Sequence, residues 1–344
     1  MFRVTPAAAN TILVTGAAGF VGSAVVRHVV PRVAAGMLKF SDGSPVQHVA
    51  ALVRPGANLE RLEELKSASG WSVEAADLAD ASQLRSLLDR VRPRAIVHVA
   101  LDRAAYEDLP AAEIEHRVLN PLRTLAGWLA ETPGARFIHT GSAWVLPAGE
   151  SLDESSPLAP VTPYARVKVM EEELLAKLSS NAQLQWIVLR LFNIFGRFEN
   201  PRRLLPYLVA QLARGESAEL SDAAQVRDFT DVDAMATAYA LAVAAPGSAC
   251  GRVYHIGCGR GLSLREFTLV VAEVMGHTGR VQFGTRRTPD SSVPVQVANA
   301  SLAARALGWA PAHDVRADIR RAVEWWSARL GVVRPAGDAA AKRI

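Results

Sequence analysis

The chain has 344 residues, half of them hydrophobic, a net charge of +4 and a pI near 9.3. That supplies ample core for one large domain, or for a domain with a smaller lobe. No apolar run reaches membrane-spanning length, the opening MFRVTPAAAN lacks the apolar core of a signal peptide, and the arginines are scattered without interleaved aromatics, so a soluble cytoplasmic protein that binds neither membrane nor nucleic acid is expected. The two cysteines, Cys250 and Cys258, are too few for a disulfide framework and lack the spacing of a zinc site, so reduced thiols and no metal are expected.

Through the first half, short apolar, β-branched runs alternate with helical patterns, the signature of βαβ units and a parallel sheet. Strands are predicted at residues 11–15, 47–53, 72–76, 95–100, 136–140 and 186–191, with helices near 20–34, 57–67, 80–91, 111–131 and 163–179. Beyond residue 191 the pattern loosens into Gly- and Pro-containing loops, followed by a helix near 232–245, a strand near 252–256 and helices near 263–276 and 314–330. The expected fold class is α/β: a Rossmann-type doubly wound parallel sheet with a smaller C-terminal α/β substrate-binding lobe. Residues 1–190 and 232–258 are expected to form the dinucleotide-binding domain, 191–231 and 259–332 the lobe, and 333–344 a flexible tail.

The first strand runs into TGAAGFVG, which places Gly16, Gly19 and Gly22 before an apolar helix. Glycines there allow a tight turn and let a pyrophosphate approach the amides at the helix N-terminus, where the dipole favours negative charge. Gly16, Gly19, Phe20, Val21 and Gly22 are therefore candidate cofactor-binding residues; a tight turn with close helix packing is the plainer reading.

An acidic residue about 20 positions past such a loop, at the end of the second strand, binds the ribose hydroxyls of NAD. Asp42 stands near that distance, but in a turn-like stretch, KFSDGSP, ahead of the second strand. The residue that ends this strand is Arg54, whose guanidinium suits a 2′-phosphate. NADP(H) is therefore preferred and NAD(H) kept as the alternative; a solvent-facing Arg54 is the plainer reading. Asp77 and Leu78, after the third strand, are placed to meet the adenine side, and Asp77 equally suits a cap for the next helix.

TPYARVK places Tyr164 one helical turn before Lys168, after a Thr162 suited to the N-cap and a Pro163 suited to the first turn. A phenol is a poor proton donor and acceptor at neutral pH unless a positive charge stabilises its ionised form, which Lys168 could supply. A packed tyrosine and a solvated lysine fit the same spacing. His98, His139 and His255 fall within predicted strands, where packed, hydrogen-bonded roles are expected, and Trp325 and Trp326 are expected to pack the terminal helix.

With TGAAGFVG, IVHVA, VLNPLRTL, FIHTGSAWV and YARVK in this order, then LRLFNIFGR, VRDFTDVD, VYHIGCGRGLSLREF and LGWAP, the chain resembles the extended short-chain dehydrogenase/reductases, the NAD-dependent epimerase/dehydratase family, from about residue 11 to 330. The resemblance implies that Tyr164 is the general acid/base, that Lys168 favours its ionisation and binds the nicotinamide ribose, and that Ser142 hydrogen-bonds the reacting oxygen. It also adds Ala100 and Asn120 to the cofactor set, and Ala143, Asn193 and Arg227 to a substrate set that includes Ser142. It implies a homodimer in which the helices near 111–131 and 163–179 form a four-helix bundle.

Departures from the family narrow the chemistry. Sugar 4,6-dehydratases carry an acidic pair after the hydroxyl residue, whereas Ala143 and Trp144 follow Ser142, and neither cysteine falls where fucose-synthase-type enzymes need one. Val145, Leu146 and Pro147 replace the usual Val-Tyr-Gly, and Leu101 stands where a second alanine is usual. The first expectation is an NADPH-dependent reductase of the 4-keto group of a nucleotide-activated deoxysugar, and the second an NAD-dependent nucleotide-sugar 4-epimerase. A reductase of a non-nucleotide ketone comes third. A non-catalytic dinucleotide sensor is the reading from another class.

Overall fold

A computed structural model of the chain describes residues 10–102, 107–180, 184–288, 293–310 and 314–331; the expected tail, 333–344, lies outside them. In chain order the elements are β1 Thr11–Thr15, α1 Phe20–Ala34, β2 His48–Val53, β3 Trp71–Ala75, α2 Ala81–Val91, β4 Ala95–His98, α3 Ala111–Ile114, α4 Asn120–Ala130, β5 Arg136–Ser142, β6 Gly149–Leu152 and α5 Pro163–Ser180. They continue with β7 Gln185–Leu191, β8 Asn193–Phe195, α6 Leu204–Ala213, β9 Ala218–Glu219, β10 Val226–Asp231, α7 Val232–Ala244, β11 Arg252–Ile256, β12 Gly261–Ser263, α8 Leu264–Met275, β13 Val281–Gln282, β14 Val295–Ala298, α9 Ser301–Leu307 and α10 Val315–Arg329.

Seven strands form one sheet in the order β3-β2-β1-β4-β5-β7-β11, every pair parallel. Strand order reverses between β1 and β4, the crevice in which doubly wound sheets hold ligands. β1, β2 and β4 are buried along their whole length, as a sheet covered on both faces requires. Alternation along β1 divides the core: Ile12 and Val14 join Val25 and Val29 of α1 and Met235 and Tyr239 of α7, whereas Leu13 joins Leu84 and Leu88 of α2, Leu122 and Leu125 of α4, and Leu175 of α5.

A smaller sheet, β12-β10-β14-β6 with β8 on β10, stands beyond the carboxyl ends of the main strands. Its core draws Leu208 from α6, Phe267 from α8 and Val323 from α10 around Phe195 and Phe229. The Phe229 and Phe267 rings stack with centroids 4.2 Å apart.

Three stretches depart from the sequence pattern. The expected helix 111–131 is broken by a π-helical turn, Glu115–Leu119, just ahead of Pro121, which has no N–H to return to the preceding turn. The expected helix 57–67 is a 3₁₀ segment, Glu60–Leu65. α6 lies in what reads as loop; its Pro206 falls in the first turn, where the missing N–H costs nothing. Among the described residues no helix is long and apolar enough to cross a membrane, and no group of His, Cys, Asp or Glu could hold a metal.

Candidate active site

A cleft of about 970 Å³ runs along the carboxyl ends of the main strands, at the upper end of the range for small-molecule sites. The turn after β1 forms its floor. Gly16 takes φ +64°, and a Cβ there would stand 2.7 Å from the Cα of Ala100, because the chain leaving β4 crosses directly over the turn. Thr15 fixes that crossing: its Oγ1 accepts from the amides of Val99 and Ala100, at 3.2 Å each, and lies 2.9 Å from Nδ1 of His98. α1 then begins at Gly19, which has no capping side chain. The amides of its first turn have no acceptor within the helix and are available to an anion.

One end of the cleft is edged by Arg54, immediately after β2, with Asn58 and Arg61 behind it. Arg61 spends its guanidinium on the carbonyls of Ala18 and Phe198, tying the glycine turn to the loop after β8. Arg54 is exposed; its carbonyl accepts from the amide of Ala57 at 3.1 Å, and its guanidinium has no hydrogen-bond or ion-pair partner among the described residues. Asp42 is remote from the cleft: it pairs with Arg94 at 2.6 Å, beside Asn10 at the amino ends of the strands. Asp77 and Leu78 line the cleft after β3. The helix cap is a neighbour, however: Asp80, not Asp77, accepts from the amides of Ser82 and Gln83 at the start of α2.

The other end holds the chemistry-bearing group. Thr162 Oγ1 accepts from the amide of Ala165 at 3.1 Å, and α5 begins at Pro163. Tyr164 and Lys168 then both face the cleft, with Ser142 at the end of β5. Lys168 is 3% exposed; its Nζ donates to the carbonyl oxygen of Thr140 at 3.0 Å and lies 2.8 Å from Oε2 of Glu171, itself 1% exposed. The Thr140 hydroxyl is 2.8 Å from the hydroxyl of Tyr239, whose ionisation burial pushes above the usual range for a phenol. Trp144, half-exposed, meets the Tyr164 ring edge-on at 6.4 Å and covers the cleft where the resemblance places a dehydratase's acidic pair.

Residues 12–257 match the sequence profile of the NAD dependent epimerase/dehydratase family. The chain belongs to this family. It is 26% identical to the dTDP-glucose 4,6-dehydratase of Salmonella typhimurium over 92% of each chain, and 29% identical to the UDP-glucose 4-epimerase of Rhizobium meliloti over 93% of this chain and 98% of that one. Its structure superposes on the dTDP-glucose 4,6-dehydratase DesIV of Streptomyces venezuelae, solved with NAD bound, with a TM-score of 0.80 at 25% identity, covering 93% of this chain and 98% of that one. The chain is thus an enzyme of the extended short-chain dehydrogenase/reductases, in a family whose members here are nucleotide-sugar dehydratases and epimerases.

Within this epimerase/dehydratase frame, the cleft gathers Gly16, Gly19, Phe20, Val21, Gly22, Arg54, Asp77, Leu78, Ala100, Ser142, Tyr164, Lys168 and Asn193. Three expected residues stand outside its lining. Asn120 is exposed and accepts from Arg123 Nη1 at 2.6 Å; the π turn before it brings Arg117, Val118 and Pro121 to the cleft instead. Ala143 is buried, its carbonyl held by the Gln296 side chain at 2.8 Å. Arg227 lies on β10, its Nη1 donating to the carbonyl of Val226. The neighbouring acids of VRDFTDVD do structural work: Asp228 accepts from the amides of Cys258, Gly259 and Ala298, and Asp231 caps α7.

The sequence reading missed Trp144, Arg61, Glu171 and Glu199 as cleft residues. Only Glu171 carried a usable signal, standing three residues after Lys168 on one helix. His98, His139 and His255 are all buried, and burial pushes His98 down to about 3, with His139 adding to the effect.

Proposed function

We propose that the enzyme is an NADPH-dependent reductase of a ketone, the 4-keto group of a nucleotide-activated deoxysugar. The observation that carries the choice of cofactor is Arg54, an unengaged guanidinium at the edge of the glycine turn, with the candidate carboxylate Asp42 held at the opposite end of the strands. The cradle suits a dinucleotide: a turn too tight for any Cβ at Gly16, and free amides at the head of α1. Gly19, Phe20, Val21 and Gly22 would hold its pyrophosphate, Arg54 its 2′-phosphate, Asp77 and Leu78 its adenine side, and Lys168 its nicotinamide ribose.

When bound, the nicotinamide supplies hydride to the carbonyl carbon. Tyr164 gives its proton to the carbonyl oxygen as negative charge develops there, and the Ser142 hydroxyl donates a second hydrogen bond to the same atom. Asn193, which lines the cleft, would contact the substrate. Trp144 supplies an apolar wall and no acid for eliminating water, which favours reduction over dehydration. NADPH consumption with nucleotide-linked 4-ketosugars is the test; turnover without consumption of free cofactor would favour epimerisation.

The 4-epimerase reading draws support from the likeness to the Rhizobium meliloti enzyme and would require tightly retained NAD. Assembly as a homodimer is part of the same proposal. α4 packs beside α5, and Ile114, Met170 and Leu174 form a partly buried apolar stripe that a second copy would cover in a four-helix bundle. Sedimentation as a monomer would overturn that part.

A further inference from the structure

The helix that carries Tyr164 and Lys168 continues with two glutamates whose side chains take different partners. Glu172 accepts from one edge of the Arg190 guanidinium of β7 with both carboxylate oxygens, at 2.6 Å from Nη2 and 3.0 Å from Nε. Glu171 has no arginine partner among the described residues. Its Oε2 stands 2.8 Å from the Lys168 ammonium and 3.5 Å from Nε2 of His139, all three side chains being almost fully buried. Gly141 makes room for the neighbouring pair instead: a Cβ at that position would stand 2.8 Å from Oε1 of Glu172 and 3.0 Å from Cγ of Arg190.

A lysine can favour ionisation of a neighbouring phenol only by the net positive charge it presents. An ammonium held 2.8 Å from a buried carboxylate presents far less of it, since the two charges oppose each other at short range and low dielectric. We propose that Glu171 is a positioning residue that offsets the charge of Lys168 one turn from Tyr164 and thereby keeps the Tyr164 hydroxyl protonated as a proton donor. The inference rests on the reading of Tyr164 as the acid of a reductase, and it gives that reading a direction: a protonated phenol serves reduction of a carbonyl, whereas oxidation of an alcohol needs the phenolate.

The remaining groups around the pair come from several elements. His139 of β5 faces Glu171, and His98 of β4 stacks on His139 at 5.6 Å. Tyr239 of α7 reaches Thr140, whose carbonyl accepts a hydrogen bond from Lys168, and Arg190 of β7 is held by Glu172 with His255 of β11 at 3.4 Å. Burial acts to raise the Glu171 carboxyl, but the Lys168 ammonium and His139 outweigh it and hold it near 2, so it is ionised throughout the working pH range.

The test is a pH titration of phenolate absorbance in the full-length protein, each form being compared with its Tyr164→Phe counterpart so that only Tyr164 is read. In Glu171→Gln the Tyr164 phenolate is expected to appear about one pH unit lower than in the wild type, and the alkaline limb of ketone reduction to move down with it. Glu171→Met carries the same expectation without a polar side chain to satisfy, so the test does not hang on one variant folding. Coincident titrations, or a loss of turnover with an unmoved pH profile, would overturn the inference. Tyr164→Phe that keeps full turnover would instead sink the assignment of Tyr164 as the acid, while the phenolate titration would still report on Glu171.

Discussion

Gly22 faces Gly16 across the turn: a Cβ on Gly22 would lie 2.2 Å from the carbonyl oxygen of Gly16. That oxygen also accepts from the amide of Gly19 at 2.9 Å, so it cannot retreat without opening the loop that would hold the pyrophosphate. Gly22→Ala is expected to abolish measurable dinucleotide binding and to cost about 1–3 kcal/mol of stability as overpacking. Calorimetric titration and a thermal melt check both; unchanged affinity would mean that the loop is not the pyrophosphate site.

Tyr164→Phe removes only the hydroxyl and leaves the edge-on contact with Trp144 available. Turnover is expected to fall by about 100- to 10,000-fold, the usual contribution of a positioned acid or base, with cofactor affinity little changed. Binding lost together with turnover would assign Tyr164 a role in holding the cofactor rather than in proton transfer.

Arg54→Ala tests the choice of cofactor. A hydrogen bond to a charged group contributes about 1.5–3 kcal/mol, so NADPH affinity is expected to drop by about tenfold or more while NADH affinity hardly moves. Equal losses for both cofactors would place the arginine on the shared part of the dinucleotide.

Glu199, 4% exposed, lines the cleft with one carboxylate oxygen unpartnered, and burial pushes its carboxyl up to about 7 against a partial pull from Arg203. Because the folded protein holds this proton to higher pH than the unfolded chain does, the group's contribution to stability falls as pH rises from about 4.5 to 7. Glu199→Gln is expected to raise the melting temperature of the cofactor-free protein relative to wild type at pH 8, and to do so much less at pH 5. A difference that does not change with pH would show that the buried carboxyl does not titrate in this window.

The main sheet was legible because its strands are buried on both faces and read as continuous apolar runs, and because α1 begins where the glycines end. The smaller lobe was not: β8, β12 and β14 are only three or four residues long, and their pairing partners lie far away in sequence. Among site residues, those carried by the glycine turn and by the first turns of α5 fell where local spacing placed them. Asn120 did not, because the π turn ahead of Pro121 rotates the helix face that follows. Glu171 escaped notice because its setting depends on His139, a residue brought to it only by β5.

The central claim is that this family member works as an NADPH-dependent reductase, and equilibrium titration of the wild-type protein with NADPH and with NADH tests it most directly. Tight, exchangeable binding of NADPH, with NADH weaker by about tenfold or more through the charged contact at Arg54, is the expected result. NAD retained through purification, with weak NADPH binding, would contradict it and make the enzyme an epimerase candidate.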